Sequence, residues 1–243
     1  MKNKKISLGK GINSVEGNSW VFNKNVATAF DKHVRQSIPF YDLIQKYISS
    51  LSEWFIQDNS LIYDLGCSTG ETVKNILKFN KQRRIKFKYI GIDSSKQMIK
   101  LAKKKIKKKN IIFKTANINN ILFNKNSDLF ISLLLFPFLK LYDRQKLLKK
   151  IYSSLKIGGA LICVDKIYSE NPLVQDIFNQ IYFDSKIENK LTKTQILNKA
   201  KSLRGSMNLY QQSELIKFCK NAGFKKIDIF FKWFNFIGLI AIK

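Results

Sequence analysis

Cysteine, proline and histidine are scarce in this chain, whose 243 residues include three cysteines, three prolines and one histidine. The cysteines, Cys67, Cys163 and Cys219, are far apart and odd in number, so they form neither a disulfide framework nor a paired metal site. Thiols of a cytosolic protein are the simpler interpretation. The lone histidine, His33, is more readily an exposed or helix-capping residue than a general base.

Long apolar runs are missing as well. No stretch of about 18 apolar residues free of charge occurs, so no membrane span is predicted. The basic start of the chain is not followed by the apolar core of a signal peptide. We therefore expect a cytoplasmic protein without a membrane partner. With 45% hydrophobic residues, the chain is long enough to bury a sizeable core.

Acidic residues are few: 17 stand against 44 lysines and arginines, a formal net charge of +27. Such a field attracts polyanions, and nucleic acid is the obvious candidate. The lysines are spread along the chain, however, and Asn, Ile, Lys and Phe are abundant throughout, as an AT-rich genome would produce. A compositional origin is therefore favoured over a selected RNA or tRNA surface, and both stay open.

Hydrophobic periodicity divides the chain into regions. Residues 1–20 are polar and predicted to be loose, and residues 21–243 are predicted to form a single domain. Apolar residues between 26 and 55 recur at helical spacing, and Pro39 is expected to break this region into two helices. Residues 166–214 are polar and helical, which suggests an inserted cap. The segments 227–231 and 236–242 read as a closing hairpin.

The central part alternates between strands and helices. Strands are predicted at 61–65, 87–93, 111–116, 128–134 and 160–164. Helices are predicted at 71–79, after a Ser94-Ser95 cap, and at 142–155, with a turn at Gly158-Gly159. This order predicts an α/β fold with a doubly wound, mostly parallel sheet and right-handed crossovers.

The strongest motif is Asp64-Leu65-Gly66-Cys67-Ser68-Thr69-Gly70, at a predicted strand-to-helix turn. Glycines there let the backbone approach a ligand closely. Asp93 ends the next strand, where a carboxylate can accept both hydroxyls of a ribose. The spacing is not the Gly-x-Gly-x-x-Gly of dinucleotide folds, so S-adenosylmethionine (SAM) is favoured over NAD. A seven-stranded sheet of the class I methyltransferase type is the predicted architecture, and chance glycines are the remaining alternative.

Three further residues lie near this motif. Asn117 follows the third strand, where its amide could bind the adenine amino group, or could only form an Asx turn. Tyr41 could close over the ligand, or could be a core aromatic of an amphipathic helix. Cys67 is interpreted as a small neighbour of the ligand and not as a nucleophile.

The chain resembles carboxy-SAM synthases over about residues 19–243, most weakly in 166–214. The segments that carry the resemblance are 22–30, 35–41, 63–68, 144–161 and 222–236. The resemblance implies an enzyme that binds SAM as a substrate and does not donate its methyl group. Prephenate supplies a carboxylate to the SAM methyl carbon and leaves phenylpyruvate. The usual account is a sulfonium ylide that captures released CO2.

The resemblance also implies a biological setting. A second enzyme, a tRNA carboxymethyltransferase, uses the product to modify the wobble uridine of tRNA to 5-oxyacetyl uridine. Direct tRNA binding by this chain is therefore not required. A homodimer and a cytoplasmic location are the other expectations.

The resemblance carries the family's ligand contacts onto individual residues of this chain. These are Tyr41, Gly66, Cys67, Ser68, Asp93, Ser94, Asn117 and Ile118. The chain departs from the family pattern at two points. Leu133 stands where the family has an asparagine, next to Ser132. The family's carboxylate-binding arginine is best replaced by Lys201, with Arg204 second. A lysine supplies the charge but not the bidentate fork, and a solvated cation is the alternative for both residues.

Two rival functions stay open. An ordinary SAM-dependent methyltransferase would transfer the methyl group to tRNA or a small molecule. A non-catalytic SAM- or RNA-binding scaffold would show salt-sensitive RNA binding without turnover. The residues identify no metal site, no prephenate contact and no catalytic proton acceptor.

Overall fold

The computed structural model describes residues 15–16, 19–20 and 24–243, with side chains from Phe30 onward. Strands β1 (Val15–Glu16) and β2 (Ser19–Trp20) pair antiparallel. The remainder of the predicted loose segment, and residues 21–23, lie outside the described residues. Within the described part of the chain, no helix is long and apolar enough to cross a membrane.

A seven-stranded sheet forms the centre, with the strand order β5-β4-β3-β6-β7-β9-β8. Its strands are β3 (Leu61–Leu65), β4 (Lys88–Asp93), β5 (Ile111–Thr115), β6 (Ser127–Leu133), β7 (Leu155–Lys166), β8 (Lys226–Trp233) and β9 (Phe236–Ile242). Strands β3 to β7 are parallel, and β9 pairs antiparallel with both β7 and β8. The predicted parallel sheet and closing hairpin are both confirmed.

Eight α-helices are described. They are α1 (Lys24–Ser37), α2 (Tyr41–Glu53), α3 (Glu71–Phe79), α4 (Lys96–Lys105), α5 (Leu141–Ser154), α6 (Pro172–Glu188), α7 (Lys193–Ser202) and α8 (Gln212–Ala222). The break at Pro39 is confirmed, since it lies between α1 and α2. Ser95 caps α4 as predicted, because its Oγ accepts a hydrogen bond of 3.3 Å from the Met98 N–H. The predicted helical insertion contains α6 and α7.

The predicted turn at Gly158-Gly159 is wrong, because both glycines lie inside β7. The ladder with β6 is irregular here, and Gly158 adopts a φ of +80°. The Gly158 N–H donates to the Lys243 carbonyl at 2.9 Å, and the Lys243 N–H donates to the Gly159 carbonyl at 3.0 Å. The C-terminal residue thus extends the sheet alongside the glycine pair, and the segment stays part of the strand as a bulge.

The core lies on both faces of the sheet. Six of the seven residues of β6 are buried, as expected for a central strand covered on two sides. One face buries Phe130, Phe136 and Phe224, and the other buries Tyr89 and Ile162. The carboxyl ends of β3, β4, β5, β6 and β7 therefore share one rigid edge, where ligands of open α/β sheets bind.

Candidate functional site

The turn between β3 and α3 has the backbone conformation that its glycines predict. Gly66, Ser68 and Gly70 have φ values of +76°, +50° and +79°. The Gly66 and Cys67 N–H groups both donate to the Ile92 carbonyl, at 2.8 and 3.0 Å. The turn is thus pinned to the end of β4 by hydrogen bonds and leaves little room for a side chain at Gly66, where a Cβ would lie 3.4 Å from the Leu135 side chain.

Asp93 is held in place at the end of β4 by two backbone donors. Its Oδ2 accepts from the Ser68 N–H at 2.9 Å, and its Oδ1 accepts from the Ser95 N–H at 2.8 Å. Burial raises the pKa of this carboxyl group, and the two hydrogen bonds oppose the rise. Each carboxylate oxygen keeps acceptor capacity, so the group can still bind a diol.

The thiol of Cys67 is buried and unreactive. The thiol is buried, and burial followed by the charges of Asp64 and Asp93 raises its pKa. A Cβ at Gly91 would lie 2.9 Å from the Cys67 Sγ and 2.8 Å from Phe113, so glycine is needed there for close packing. A neutral thiol in this position fits the predicted small neighbour of a ligand and is a poor nucleophile.

A buried carboxyl group lies beneath the turn. Asp64 accepts a hydrogen bond from the Tyr89 hydroxyl, and both side chains are buried. Burial raises the pKa of Asp64 to about 7, against the opposing effect of that hydrogen bond. Asp64 therefore supports the turn from inside the sheet, whereas Asp93 faces the ligand edge.

The residues after β5 lie at the same edge. The Ala116 N–H donates to the Asp93 carbonyl at 3.0 Å, which joins the ends of β5 and β4. Asn117 forms the Asx turn that was the alternative, because its Oδ1 accepts from the Asn119 N–H at 3.0 Å. Its amide nitrogen remains a potential donor to an adenine ring. Ile118 is buried, and Ser94 is exposed.

Helix α1 is fastened to the glycine turn by polar contacts. Asp31 accepts a hydrogen bond of 2.6 Å from the Thr69 hydroxyl, and it also pairs with Lys105. Arg35 forms ion pairs of 2.9 Å with both Glu71 and Asp42. These contacts position α1 as a wall beside the ligand edge.

Tyr41, the first residue of α2, lies against this wall. Its ring is 5.7 Å from the Arg35 guanidinium carbon, and its hydroxyl accepts from the Gln45 amide at 2.9 Å. The residue is 7% exposed, so it is packed as the core-aromatic alternative requires. Burial raises its pKa, so the phenol is neutral. Its contact with a ligand remains a prediction.

The end of β6 carries the first departure from the family pattern. Leu133 is half-buried and pairs with Val164 of β7. The neighbouring Ser132 is fully buried, and its Oγ has no hydrogen-bond partner among the described residues. Ser132 is therefore the polar group nearest in sequence to the position where the family has an asparagine.

The cap carries the second departure. Lys201 and Arg204 are exposed near the end of α7, and their contact with a ligand carboxylate stays a prediction. Lys199 is half-buried, and its pKa is lowered by burial and then by the charge of Lys186. Two residues correspond to about 200° around a helix, so Lys199 and Lys201 lie on opposite faces of α7. Lys199 is the inward-facing cation.

His33 was expected to be exposed or capping, and this expectation is wrong. It lies inside α1, half-buried, with its Nε2 3.1 Å from the Ser37 hydroxyl. Burial, followed by the charges of Lys199 and Lys186, lowers its pKa to about 4. The imidazole is therefore neutral at physiological pH and lies beside a group of lysines.

That group is the lysine cluster, formed by Lys166, Lys186 and Lys199. The Nζ atoms of Lys166 and Lys186 lie 4.5 and 3.7 Å from the centroid of the Tyr182 ring. Burial lowers the pKa of Lys166 to about 8, and burial with the charge of Lys166 lowers that of Lys186 to about 7. Lys166 is the last residue of β7. Its position at the ligand edge was the sequence signal that could have identified Lys166 as a candidate site residue.

Comparison with known proteins places the chain in a family. A carboxy-S-adenosyl-L-methionine synthase of Staphylococcus epidermidis is 37% identical over 228 residues, which cover 92% of this chain and 97% of that protein. The protein of the same name from Methylococcus capsulatus is 32% identical, covering 91% and 93%. This chain belongs to the carboxy-SAM synthase family. A family model described as a methyltransferase domain also matches residues 62–159.

Solved structures confirm the fold class. A methyltransferase in complex with the Haloferax volcanii Trm112 activator superposes with a TM-score of 0.62 at 14% identity, covering 90% of this chain and 96% of that one. Human N-acetylserotonin methyltransferase gives a TM-score of 0.55 at 15% identity, covering 91% and 59%. The chain therefore has the class I methyltransferase fold, as predicted.

Proposed function

We propose that this chain converts SAM and prephenate to carboxy-SAM and phenylpyruvate, with water as the third product. The observation that carries the proposal is Asp93, held by the Ser68 and Ser95 N–H groups beside the Gly66 turn. In a carboxy-SAM synthase, that carboxylate is suited to the ribose of SAM. The family relationship then favours carboxyl transfer over methyl transfer.

The residues around the turn supply binding and orientation. Gly66 and Ser68 would lie against the methionyl part of SAM, and Asn117 would donate to the adenine. Ile118 and Tyr41, whose side chains are buried, would help to keep water away from this edge. A dry pocket matters because the methyl group next to the sulfonium of SAM is acidic, and water would return a proton to the deprotonated carbon before the carboxyl group could bond to it.

We extend the proposal to the protein's setting. Carboxy-SAM would pass in the cytoplasm to a tRNA carboxymethyltransferase that modifies the wobble uridine, without tRNA contact by this chain.

A homodimer is also proposed. Helix α6 supports it, because Leu173 and Ile177 on this helix are 70% and 49% exposed. Light scattering should report a dimer that the Leu173→Asp substitution weakens, and a monomer in the unmodified protein would contradict this part.

Mass spectrometry tests the activity. Purified protein is incubated with SAM, with and without prephenate, beside an established carboxy-SAM synthase as a positive control. We expect a prephenate-dependent gain of one carboxyl group on SAM together with phenylpyruvate. Unchanged SAM in both reactions, despite measured SAM binding, would contradict the proposal. Methyl transfer to an added tRNA would instead support the ordinary methyltransferase.

A further inference from the structure

The lysine cluster brings three cations together from three separate elements. Lys166 ends β7, Lys186 lies in the last turn of α6, and Lys199 lies on the inward face of α7. The ammonium groups of Lys166 and Lys186 both contact the Tyr182 ring. The Tyr182 hydroxyl donates to the Ser37 carbonyl of α1 at 2.8 Å. Helix α6 of the inserted cap thus meets the end of a core strand around one aromatic ring, and α7 packs against α6.

Lys166 and Lys186 place two positive charges close together in a poorly solvated part of the cluster. Among the described residues, no carboxylate lies within ion-pair distance of Lys166 or Lys186. Their contacts with Tyr182 offset only part of the cost of removing two ammonium groups from water. Such an arrangement is stabilised when a ligand brings the missing negative charge.

A neutral donor lies beside the cluster. The buried Nδ1 of His33 has no hydrogen-bond partner within the described part of the chain. When the Nε2 accepts from the Ser37 hydroxyl, the Nδ1 carries the proton and can donate to an anion. The imidazole therefore adds a hydrogen bond without adding charge.

The cluster is close to the ligand edge of the sheet. Lys166 lies two residues beyond Val164, which pairs with Leu133 at the end of β6. Strand β7 is two strands from β3, which carries the glycine turn, and two strand spacings amount to roughly 10 Å. A small molecule on the lysine cluster can therefore reach a methyl group presented at the turn.

We propose that Lys166, Lys186 and Lys199 form the subsite for the second substrate, a small organic molecule with two carboxylates and a ring. Two negative charges match the cluster better than one. The surroundings of the lysines are aromatic, since the Tyr182 ring packs against Phe236 at 5.2 Å and the half-buried Trp233 at 6.3 Å, and such surroundings suit an organic acid more than an inorganic anion. This inference rests on the proposed function, because it names the residues that bind the carboxyl donor.

The test compares single lysine variants. Lys166→Gln, Lys186→Gln and Lys199→Gln are assayed for the KM of prephenate and, by calorimetry, for the Kd of SAM. Lys193→Gln is the matched control, because it removes an exposed charge from α7. We expect KM to rise at least tenfold in the three cluster variants and less than twofold in the control, with the Kd of SAM changed less than threefold. Lys186→Arg should recover part of the loss.

Binding measured without turnover separates this inference from the proposed function. Prephenate and sulfate are titrated into the SAM-loaded protein, and each variant is first checked for a cooperative melting transition. Lysine-dependent prephenate binding without product would support the subsite and contradict the proposed reaction. Normal turnover with unchanged KM in all three cluster variants would overturn the subsite and leave the reaction standing. Equal affinity for sulfate and prephenate would also overturn it.

Discussion

The Nζ atom of Lys186 lies 3.7 Å from the ring centroid of Tyr182, one helical turn earlier on α6. The same tyrosine donates its hydroxyl hydrogen to the Ser37 carbonyl, so its ring orientation is fixed from α1. A tyrosine held at one end by a backbone carbonyl presents its face to cations at the other. This relationship explains how a lysine is kept in a half-buried position without a carboxylate partner.

Stability should depend on pH through the lysine cluster. The pKa values of Lys186 and Lys166 in the folded protein are about 7 and 8, whereas an unfolded lysine titrates near about 10.4. Between these values the unfolded chain binds more protons, so the free energy of unfolding rises with pH and is lost as the pH falls towards 7. Lys186→Met should raise Tm at pH 7 and flatten its rise between pH 7 and 9, as measured by calorimetry without ligand.

Several charged or titratable groups face Lys186, and the control variant must leave all of them in place. They are Lys166, Lys199, Tyr182 and the neutral His33. Lys193→Met removes an exposed charge of the same type and should leave the slope of Tm against pH unchanged. Parallel curves for Lys186→Met and the unmodified protein would contradict the assignment of this pH dependence to Lys186.

Asp93→Asn should weaken SAM binding. The substitution keeps the shape of the side chain but removes the charged acceptor, which is worth about 1.5–3 kcal/mol for hydrogen bonds to charged groups. We expect a Kd for SAM that is roughly 10- to 100-fold higher by calorimetry. Asp228→Asn, at an exposed carboxylate on β8, is the control and should leave the Kd unchanged. Unaltered affinity in Asp93→Asn would remove Asp93 from the ligand site.

A comparison of alanine substitutions at two glycines distinguishes the cost of backbone strain from the cost of close packing. Gly70 and Gly158 have nearly equal φ values of +79° and +80°. A Cβ at Gly70 would lie 3.1 Å from Phe113, while nothing lies within 4 Å of one at Gly158. Gly158→Ala should cost about 1–2 kcal/mol from conformation alone. Gly70→Ala should cost at least about 1 kcal/mol more in urea unfolding, because the core must move. Equal costs would show that the turn has more space than the contacts indicate.

Arg35→Ala should loosen α1. Arg35 links Glu71, Asp42 and the Asp31 carbonyl, and it is about one third exposed, so water screens part of the effect. We expect amide protons of α1 to exchange faster, by an amount equivalent to about 1–2 kcal/mol, and SAM to bind several-fold more weakly. The exposed Lys32, on the same helix, gives the control Lys32→Ala. Unchanged exchange in Arg35→Ala would show that packing alone holds the helix.

Local patterns were enough to predict much of the fold. The glycine turn at Gly66, the strand ending at Asp93, the break at Pro39 and the Ser95 cap all depend on residues close in sequence, and each is observed. The family membership was also predictable, because the matching segments lie in these same regions.

Features that depend on distant residues were not predictable. Gly158 and Gly159 remain in a strand because the last residue, Lys243, pairs with them. Choosing between Lys199 and Lys201 requires knowing how α7 is rotated against α6, and a mostly polar helix gives a weak periodic signal for that. The half-buried position of His33 lies on the side of α1 that the cap contacts through the Tyr182–Ser37 hydrogen bond, a contact between residues far apart in sequence.

Helix α1 has contacts along two different stripes of its surface. Asp31 and Arg35 hold the glycine turn, while His33 and Ser37 border the lysine cluster. The same helix therefore borders both sites. By linkage, any factor by which SAM binding raises the affinity for the second ligand equals the factor by which the second ligand raises the affinity for SAM. Binding of SAM should accordingly favour binding of the proposed second substrate, and the second substrate should favour binding of SAM to the same degree.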